Sequence, residues 1–387
     1  MKSILLKNAA VITPAGRLTG HSVLVEDGRI NAVFSSEETV NTDIVIDLAG
    51  AFLYPGFIDI HIHGAAGVDV MNADLPGLEK MAAFLAKNGV TRWMPTFVPD
   101  SEENYRKAVG VIDEFINWQQ GKPVAQVAGV HYEGPFVNEH QCGALRPHFF
   151  RRFENGDELA SLPTLASNNA KHLMTLAPEV SGGIGLIEEL RKNNWIASIG
   201  HTRADVETLN RAFEAGAHHM THFFNAMSGL HHRDTGVVGW GLMNDGVTCD
   251  VIADGIHVHP DMLKLLHKNK TFERIALISD SVLPAGLGDG EYEVWSEKIS
   301  VKNGRTENER GSIAGSVITM LDAVRRMLSL GISDTEVARM AGGLPAKILG
   351  LEKVTGEIAQ GFKADLVALN DQGDVILTVI EGNIVES

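Results

Sequence analysis

The sequence predicts a (β/α)₈ TIM-like barrel accompanied by a small, discontinuous β-sandwich domain that both chain ends build together. Three observations lead to this fold class. Strand and helix patterns alternate through the middle of the chain, both ends are β-prone, and a chain of 387 residues that is 44% hydrophobic can bury a large core. The predicted boundaries are residues 1–55 and 346–387 for the β domain and residues 56–345 for the barrel.

Short β-prone runs separated by turn residues occupy the two ends of the chain. The runs near the start are Ser3–Leu6, Ala10–Ile12, Ser22–Glu26, Ile30–Phe34 and Ile44–Leu48. Ala364–Leu369 and Val375–Ile380 follow the same pattern near the other end, with a turn predicted at Glu381-Gly382-Asn383. We therefore expect both ends to pair in one small sheet domain.

The middle of the chain alternates between strand and helix candidates. The eight strand candidates are Phe57–His61, Val90–Thr96, Val124–Glu133, Leu173–Glu179, Ile196–His201, His218–His222, Val247–Asp254 and Ile275–Asp280. Helical windows separate most of them, including Glu102–Ile116, Leu186–Asn193 and Asp205–Ala215. Eight such units over about 225 residues predict a parallel barrel, whose active site forms where the strands' carboxyl ends meet their loops.

Polar side chains stand at the ends of five of these strands. They are His61, His63, Glu133, His201, His222 and Asp280. Because residues i and i+2 of a strand point to the same face, His61 and His63 can reach one metal ion, although two such histidines can also be satisfied by backbone carbonyls. Imidazoles with a carboxylate suit a divalent transition metal, with Zn²⁺ as first choice and Fe²⁺, Co²⁺ or Mn²⁺ as alternatives, and Glu133 could bridge two ions.

Asp280 ends the eighth predicted strand. An aspartate beside a metal-bound water can accept its proton and later pass it to a leaving amine. The alternative is a structural role, in which Asp280 caps a helix or orders a loop.

Charge and composition exclude several classes of partner. A formal net charge of −16 argues against nucleic acid and anionic membranes, so an anionic substrate would need a locally basic pocket. The sequence contains no apolar run of about 18 residues, and its first residues do not read as a signal peptide, which predicts a cytoplasmic protein. Cys142 and Cys249 are expected to be free thiols.

Taken together, these residues resemble the N-acetylglucosamine-6-phosphate deacetylases of the amidohydrolase superfamily over nearly the whole chain. The motifs that carry the resemblance are Pro55-Gly56-Phe57-Ile58-Asp59-Ile60-His61-Ile62-His63-Gly64, His131-Tyr132-Glu133-Gly134-Pro135-Phe136, Gly200-His201-Thr202, Thr221-His222-Phe223-Phe224-Asn225-Ala226-Met227, Asp254-Gly255-Ile256-His257, Ser279-Asp280 and Gly311-Ser312-Ile313-Ala314-Gly315-Ser316. The Glu-Gly-Pro and Asn-Ala-Met blocks are the specific ones, since His-x-His alone indicates only the superfamily.

The resemblance implies roles for individual residues. Glu133, His201 and His222 would bind the principal metal, and Asp280 would be the general base and acid, while His61 and His63 leave one or two ions per subunit open. The implied substrate-binding positions are Ala144, Asn225, Ala226, Arg233, Asp254, Gly255, Ile256, His257, Ile313, Ala314 and Gly315. Arg233 and His257 would bind phosphate, with Arg233 supplied by a partner subunit, so the resemblance implies a homodimer or a dimer of dimers.

Leu145 is a departure from the family pattern. The family usually has a histidine there, which contacts the acetyl group, and leucine cannot donate a hydrogen bond to a carbonyl oxygen. A metal ion held with the help of His61 and His63 could replace that donor, and this is the source we favour. The alternative is His148 from the same loop.

The function expected from the resemblance is metal-dependent removal of the acetyl group from N-acetylglucosamine 6-phosphate, giving glucosamine 6-phosphate and acetate. An alternative substrate is another N-acyl amino sugar, its phosphate, or a cyclic amide. A hypothesis from a different class is a catalytically silent metal-binding protein that senses sugar phosphates or acts as a scaffold. The presence of Asp280 disfavours that hypothesis, because a silent protein needs no base beside its metal.

Overall fold

The computed structural model describes residues 3–37 and 40–386. Its strands are β1 (Ser3–Thr13), β2 (Gly16–Glu26), β3 (Arg29–Ser35), β4 (Ile44–Asp47), β5 (Phe52–Pro55), β6 (Phe57–Ile62), β7 (Gly64–Ala65), β8 (Val68–Asp69), β9 (Val90–Phe97), β10 (Gln126–Val127), β11 (Gly129–Glu133), β12 (Lys171–Leu176), β13 (Ile196–Ile199), β14 (His219–Met220), β15 (Thr248–Ile252), β16 (Ile275–Ile278), β17 (Gly290–Val294), β18 (Glu297–Lys302), β19 (Arg305–Asn308), β20 (Leu366–Leu369), β21 (Val375–Ile380) and β22 (Asn383–Ile384). Its α-helices are α1 (Leu75–Lys87), α2 (Glu102–Trp118), α3 (Gly156–Ala160), α4 (Gly183–Lys192), α5 (Val206–Ala215), α6 (Gly236–Met243), α7 (Pro260–Lys270), α8 (Met320–Ser329), α9 (Asp334–Ala338) and α10 (Leu344–Ile348).

Eight parallel strands form the barrel and confirm the predicted fold class. Their order around the barrel is β6, β9, β11, β12, β13, β14, β15 and β16. The seam between the last strand and the first is joined where the amide of Asp280 donates to the carbonyl of His61 over 2.9 Å. Just below it, the Ser279 hydroxyl donates to Asp59 Oδ2 over 2.6 Å.

The barrel strands are buried on both faces because helices cover their outer side. All eight residues of β9 are buried, which is typical of a parallel strand beneath helices. Helix α1 shows how a cover helix is specified: Leu78, Met81 and Leu85 form its buried face at helical spacing. Asp74 begins this helix by accepting a hydrogen bond from the Gly77 amide over 2.9 Å.

A separate sheet joins the two ends of the chain, as the sequence predicts. The strand order is β22, β21, β20, β5, β1, β2 and β3, with β4 also beside β1. Strand β1 takes different neighbours along its length: Ile4–Lys7 pair with β4, and Ala10 and Val11 pair with β5. Strand β5, which links the N-terminal strands to β20, lies outside the predicted runs.

A three-stranded antiparallel sheet of β17, β18 and β19 follows the last barrel strand, in a stretch for which the sequence analysis predicted nothing. Asn303 and Gly304, both at positive φ, form the tight turn between β18 and β19. Trp295 and Ser296 form the turn between β17 and β18. This small sheet carries Trp295 to the mouth of the barrel.

The described residues contain no helix with the length and apolarity needed to cross a membrane.

At the other end of the barrel, Ala346 of α10 and the following Leu349 pack with Ile58 and Ile60 of β6. The C-terminal strands of the second sheet begin only at Leu366. The domain boundary at residue 346 therefore stays a prediction.

An ionic cluster joins the barrel to the second sheet. Arg92 of β9 contacts Asp365 Oδ2 through Nε at 3.0 Å and Glu381 Oε1 through Nη2 at 2.7 Å. Thr355 also donates to Asp365 over 2.8 Å. Because the side chain of Asp365 is fully buried, its charge has no access to water and depends on these donors.

We predict that Arg92→Ala lowers the free energy of unfolding by about 3–5 kcal/mol, because removing one partner of a buried ion pair leaves the other uncompensated. Arg106→Ala is the matched control, since Arg106 pairs with Glu102 on the exposed surface of α2 and should cost about 0.5 kcal/mol or less. Urea unfolding of both variants measures the difference. Equal losses for the two arginines would contradict the assigned role of the cluster.

Candidate active site

Three of the predicted site residues share an unusual backbone conformation. His201, His222 and Asp280 each lie two residues beyond the end of a barrel strand and have φ of 47°, 33° and 47°. For residues other than glycine, this left-handed region costs of the order of 1–3 kcal/mol each. The turn directs each side chain towards the barrel axis, where the site forms.

Glu133, the last residue of β11, is the centre of the cluster. Its Oε1 lies 3.0 Å from Nε2 of both His201 and His222, and its Oε2 lies 3.2 Å from Nε2 of His63. His61 Nε2 lies 3.6 Å from Oε1. The structure therefore brings the four predicted histidine ligands together around the carboxylate of the fifth predicted ligand, Glu133.

Asp280 lies on the His61 and His63 side of the cluster. Its Oδ1 is 3.3 Å from Nε2 of each of these histidines. Its backbone is fixed by the bond to His61 and by the Ser316 amide, which donates to its carbonyl over 2.7 Å. The carboxylate thus faces the predicted ligands and not a helix N-terminus.

Hydrogen bonds on the far side of two rings determine their tautomers. His63 Nδ1 lies 3.0 Å from the Thr96 carbonyl, and His201 Nδ1 lies 2.6 Å from the Gln141 carbonyl. A carbonyl only accepts, so both Nδ1 atoms carry a proton, and in the neutral ring Nε2 then has a free lone pair. Lone pairs that face a carboxylate at hydrogen-bond distance require a cation between them or an added proton.

The electrostatics of the cluster favour positive charge. Burial opposes charging of His63, but its hydrogen bonds to Asp280 and Glu133 outweigh burial and raise its pKa to about 10. His222 is subject to the same competition, and Glu133 raises its pKa to about 9. Burial lowers the pKa of His61 well below its usual value. Although burial alone would raise the pKa of Glu133, the surrounding histidines hold it well below its usual range.

These residues fit a divalent metal. The ligand atoms converge in two groups, one formed by His61, His63 and Glu133 and the other by Glu133, His201 and His222. Within each group, the ligand atoms lie within 4.8 Å of one another. All five side chains are buried, and imidazole nitrogens with a carboxylate oxygen are the donors that zinc and similar ions prefer. Because Glu133 belongs to both groups, the arrangement suits either one ion or two ions that share this carboxylate.

A cavity of about 300 Å³ opens above the cluster. Its walls include six of the predicted substrate-binding residues: Ala144, Asn225, Ala226, His257, Ile313 and Gly315. Asp254 stands behind His257 and accepts a hydrogen bond from its Nδ1 over 2.6 Å. Gly255, Ile256 and Ala314 are chain neighbours of the lining residues but do not line the cavity themselves.

Two residues singled out in the sequence lie outside the cavity. Arg233 is exposed, and its guanidinium lies 2.8 Å from His232 Nε2 in the loop before α6. His148 is also exposed, and its ring contacts that of Phe149 at a tilt, with centroids 4.2 Å apart. Leu145, in contrast, is buried and lines the cavity. The sequence suggested two replacements for the missing donor, a metal ion held with the help of His61 and His63 or the side chain of His148. Of these residues, only His61 and His63 lie at the site.

Trp295 lines the cavity but is not among the residues that the sequence predicts for the site, and the same is true of Ile252. Trp295 lines the same space as Leu145 and Asp280, and its ring meets that of His63 edge-on with centroids 5.1 Å apart. The alternating pattern of Tyr292 and Val294, followed by the Asn303-Gly304 turn, could have revealed the hairpin. Nothing in the local pattern indicates that the hairpin tip reaches the active site.

The barrel and its histidine-carboxylate cluster define an amidohydrolase. The sequence model of the Amidohydrolase family matches residues 52–385, and the chain belongs to this family of metal-dependent hydrolases.

Within it, the chain belongs to the N-acetylglucosamine-6-phosphate deacetylases. It is 35% identical to N-acetylglucosamine-6-phosphate deacetylase of Bacillus subtilis, over 99% of this chain and 97% of the relative. It is also 35% identical to N-acetylgalactosamine-6-phosphate deacetylase of Escherichia coli O157:H7, over 98% of both chains. The crystal structure of N-acetylglucosamine-6-phosphate deacetylase from Pasteurella multocida superposes with a TM-score of 0.91 at 28% identity, covering 99% of each chain.

We predict that changing both His61 and His63 to alanine removes bound metal and lowers hydrolytic turnover by at least ~10²-fold, since the electrophile at the carbonyl would be lost with the ion. His148→Ala is the control and should leave both quantities near those of the unaltered protein. Elemental analysis and acetate release measure the two effects. Unchanged turnover in the double variant, together with inactivation by His148→Ala, would contradict this assignment.

Proposed function

We propose that this protein removes the acetyl group of N-acetylglucosamine 6-phosphate by metal-assisted hydrolysis. The observation that carries the proposal is that Asp280 and the five metal-binding candidates line or underlie one cavity. The same cavity is lined by Asn225 and His257, which can hydrogen-bond a sugar phosphate.

In this proposal, Glu133, His201 and His222 hold the principal metal ion, with zinc as the first choice. His61 and His63 hold a second ion or complete the first site. A divalent ion bound there supplies Lewis acidity, which lowers the pKa of water and polarises a carbonyl.

Asp280 moves the proton that the reaction transfers. It accepts a proton from the attacking water, whose oxygen bonds to the acetyl carbon. The carbon–nitrogen bond then breaks, and Asp280 returns the proton to the leaving amine. The second proton of the water stays on the new carboxyl group and passes to the amine as acetate forms, so acetate and the protonated amino sugar phosphate are released, and Asp280 ends as the carboxylate with which it began.

The phosphate end of the substrate would be bound by His257 and by Arg233 of a second subunit. Asp254 receives Nδ1–H of His257, which fixes the ring and leaves its Nε2 for the ligand. The pKa of Asp254 is lowered because this hydrogen bond outweighs the effect of burial. An arginine supplied across a subunit interface requires a homodimer or a larger assembly, and it would add positive charge to a protein that is acidic overall.

The second candidate substrate is N-acetylgalactosamine 6-phosphate, because the relative from E. coli O157:H7 that carries this name is as similar as the one from B. subtilis. Acetate release from both sugars, each with and without the 6-phosphate, tests the proposal. We expect N-acetylglucosamine 6-phosphate to have the highest kcat/KM. Absence of metal-dependent acetate release from all four compounds would overturn the proposed function.

Asp280→Asn should lower turnover by at least ~10²-fold, because the amide cannot accept the proton. Metal content and the unfolding transition should stay those of the unaltered protein. The matched control is Asp261→Asn in α7, where the side chain is 77% exposed and should have no effect. Full turnover of Asp280→Asn with normal metal content would exclude Asp280 as the proton carrier.

Arg233→Ala should raise KM for the phosphorylated sugar by about 10–100-fold, the value of one charge-assisted hydrogen bond, with little change for the unphosphorylated sugar. The exposed Arg106 again provides a control. Sedimentation of the unaltered protein accompanies the kinetics. A monomer that retains a strong preference for the phosphate would contradict the contribution from a partner subunit.

A further inference from the structure

Trp295 occupies a position that the proposed mechanism leaves unused. It lies at the tip of the β17–β18 hairpin, and its side chain is only 9% exposed although it belongs to a turn. Its ring lies against His63, whose Nε2 is in turn 3.3 Å from Asp280 Oδ1. The indole therefore stands beside the groups that would act on the substrate.

The indole Nε1 of Trp295 is buried and has no hydrogen-bond partner among the described residues. A buried donor without a partner costs about 1–3 kcal/mol, which is why the N–H of a buried tryptophan usually finds an acceptor. Two other buried tryptophans follow this rule: Trp93 Nε1 donates to the Ala125 carbonyl over 3.0 Å, and Trp240 Nε1 donates to Asn210 over 2.8 Å. Trp295, which lines the cavity, thus retains a buried donor without a partner.

The chemistry of amide hydrolysis supplies such an acceptor. Negative charge develops on the carbonyl oxygen as water adds to the acetyl carbon, and a positioned donor stabilises it. Leu145, on the same cavity, offers only an alkyl side chain. A carbonyl oxygen has two lone pairs, so it can accept from one donor while a metal ion polarises the other side.

We infer that Trp295 is a substrate-contacting residue whose indole N–H donates to the carbonyl oxygen of the bound N-acyl group. This inference rests on the proposed function and names the donor that Leu145 cannot supply. It assigns no role in metal binding to Trp295, so its loss should leave the metal content unchanged.

Side-chain contacts hold the hairpin on the loop that contains Leu145. Arg310, after β19, donates through Nη2 to the Ala144 carbonyl over 2.8 Å and contacts Glu297 of the hairpin at 3.4 Å. Glu297 also accepts from Asn308 over 3.2 Å. These contacts fix the distance between Trp295 and the wall formed by Leu145, as a positioned donor requires.

The test is Trp295→Phe, which keeps an aromatic ring against His63 and removes only the N–H donor and part of the ring. Trp240→Phe is the matched control, because it also deletes a buried indole donor, in this case one that bonds to Asn210. We expect Trp295→Phe to lower kcat for the N-acetyl sugar phosphate by about 10²–10³-fold with KM nearly unchanged. Metal content should be normal, and Trp240→Phe should retain kcat.

An N-trifluoroacetyl substrate distinguishes two roles for Trp295: donation of its N–H to the substrate carbonyl, and structural support by the indole ring alone. Fluorine withdraws electrons and stabilises the charge on oxygen, so the loss in Trp295→Phe should shrink by at least ~10-fold with this substrate. An equal loss with both acyl groups, a loss confined to KM, or unchanged kinetics would overturn the inference while leaving the proposed function standing. An unaltered enzyme that releases no acetate would overturn both.

Discussion

The buried carboxylate of Glu133 is the constraint on which the rest of the site depends. A carboxylate removed from water is costly unless positive charge or hydrogen-bond donors surround it, and here four imidazoles approach its two oxygens. Backbone carbonyls fix the tautomers of His63 and His201, so their lone pairs face this carboxylate. The site is therefore arranged to bind a cation before any substrate enters.

The same requirement explains the irregular backbone around the site. Left-handed conformations at His201, His222 and Asp280 are unfavourable in isolation, and the surrounding hydrogen bonds maintain them. Asp250 accepts from the His222 amide, and the Asn138 amide donates to the His201 carbonyl. Unfavourable backbone conformations are therefore concentrated just beyond the ends of the strands, at residues that the sequence predicts to bind metal or carry a proton.

The sequence predicted the barrel and its metal-binding candidates because both depend on local patterns. Strand and helix periodicity is readable in windows of about ten residues, and a parallel barrel brings all strand ends to one face. The position of Trp295 could not be read in this way, since it depends on how an inserted hairpin docks on a distant loop through Arg310. Strand β5 was not predicted because Phe52–Pro55 is a continuous apolar run that ends in proline, so it shows no alternation. The exposure of His148, whose ring contacts that of Phe149, is likewise not specified by sequence spacing.

The seam of the barrel has a consequence for how the protein matures. Asp59 and Ser279, which bond across the seam, are 220 residues apart, and His61 and Asp280 lie immediately beyond them. During synthesis on the ribosome, His61 and His63 are made early, and nearly the whole catalytic region must follow before the last barrel strand is made. The five metal-binding candidates all precede this strand, so a nascent chain halted before Ile275 would contain them without the carboxylate of Asp280. Closure of the barrel by the last strand therefore also brings the proposed proton carrier to the cluster, so that the fold and the catalytic group are completed in the same step.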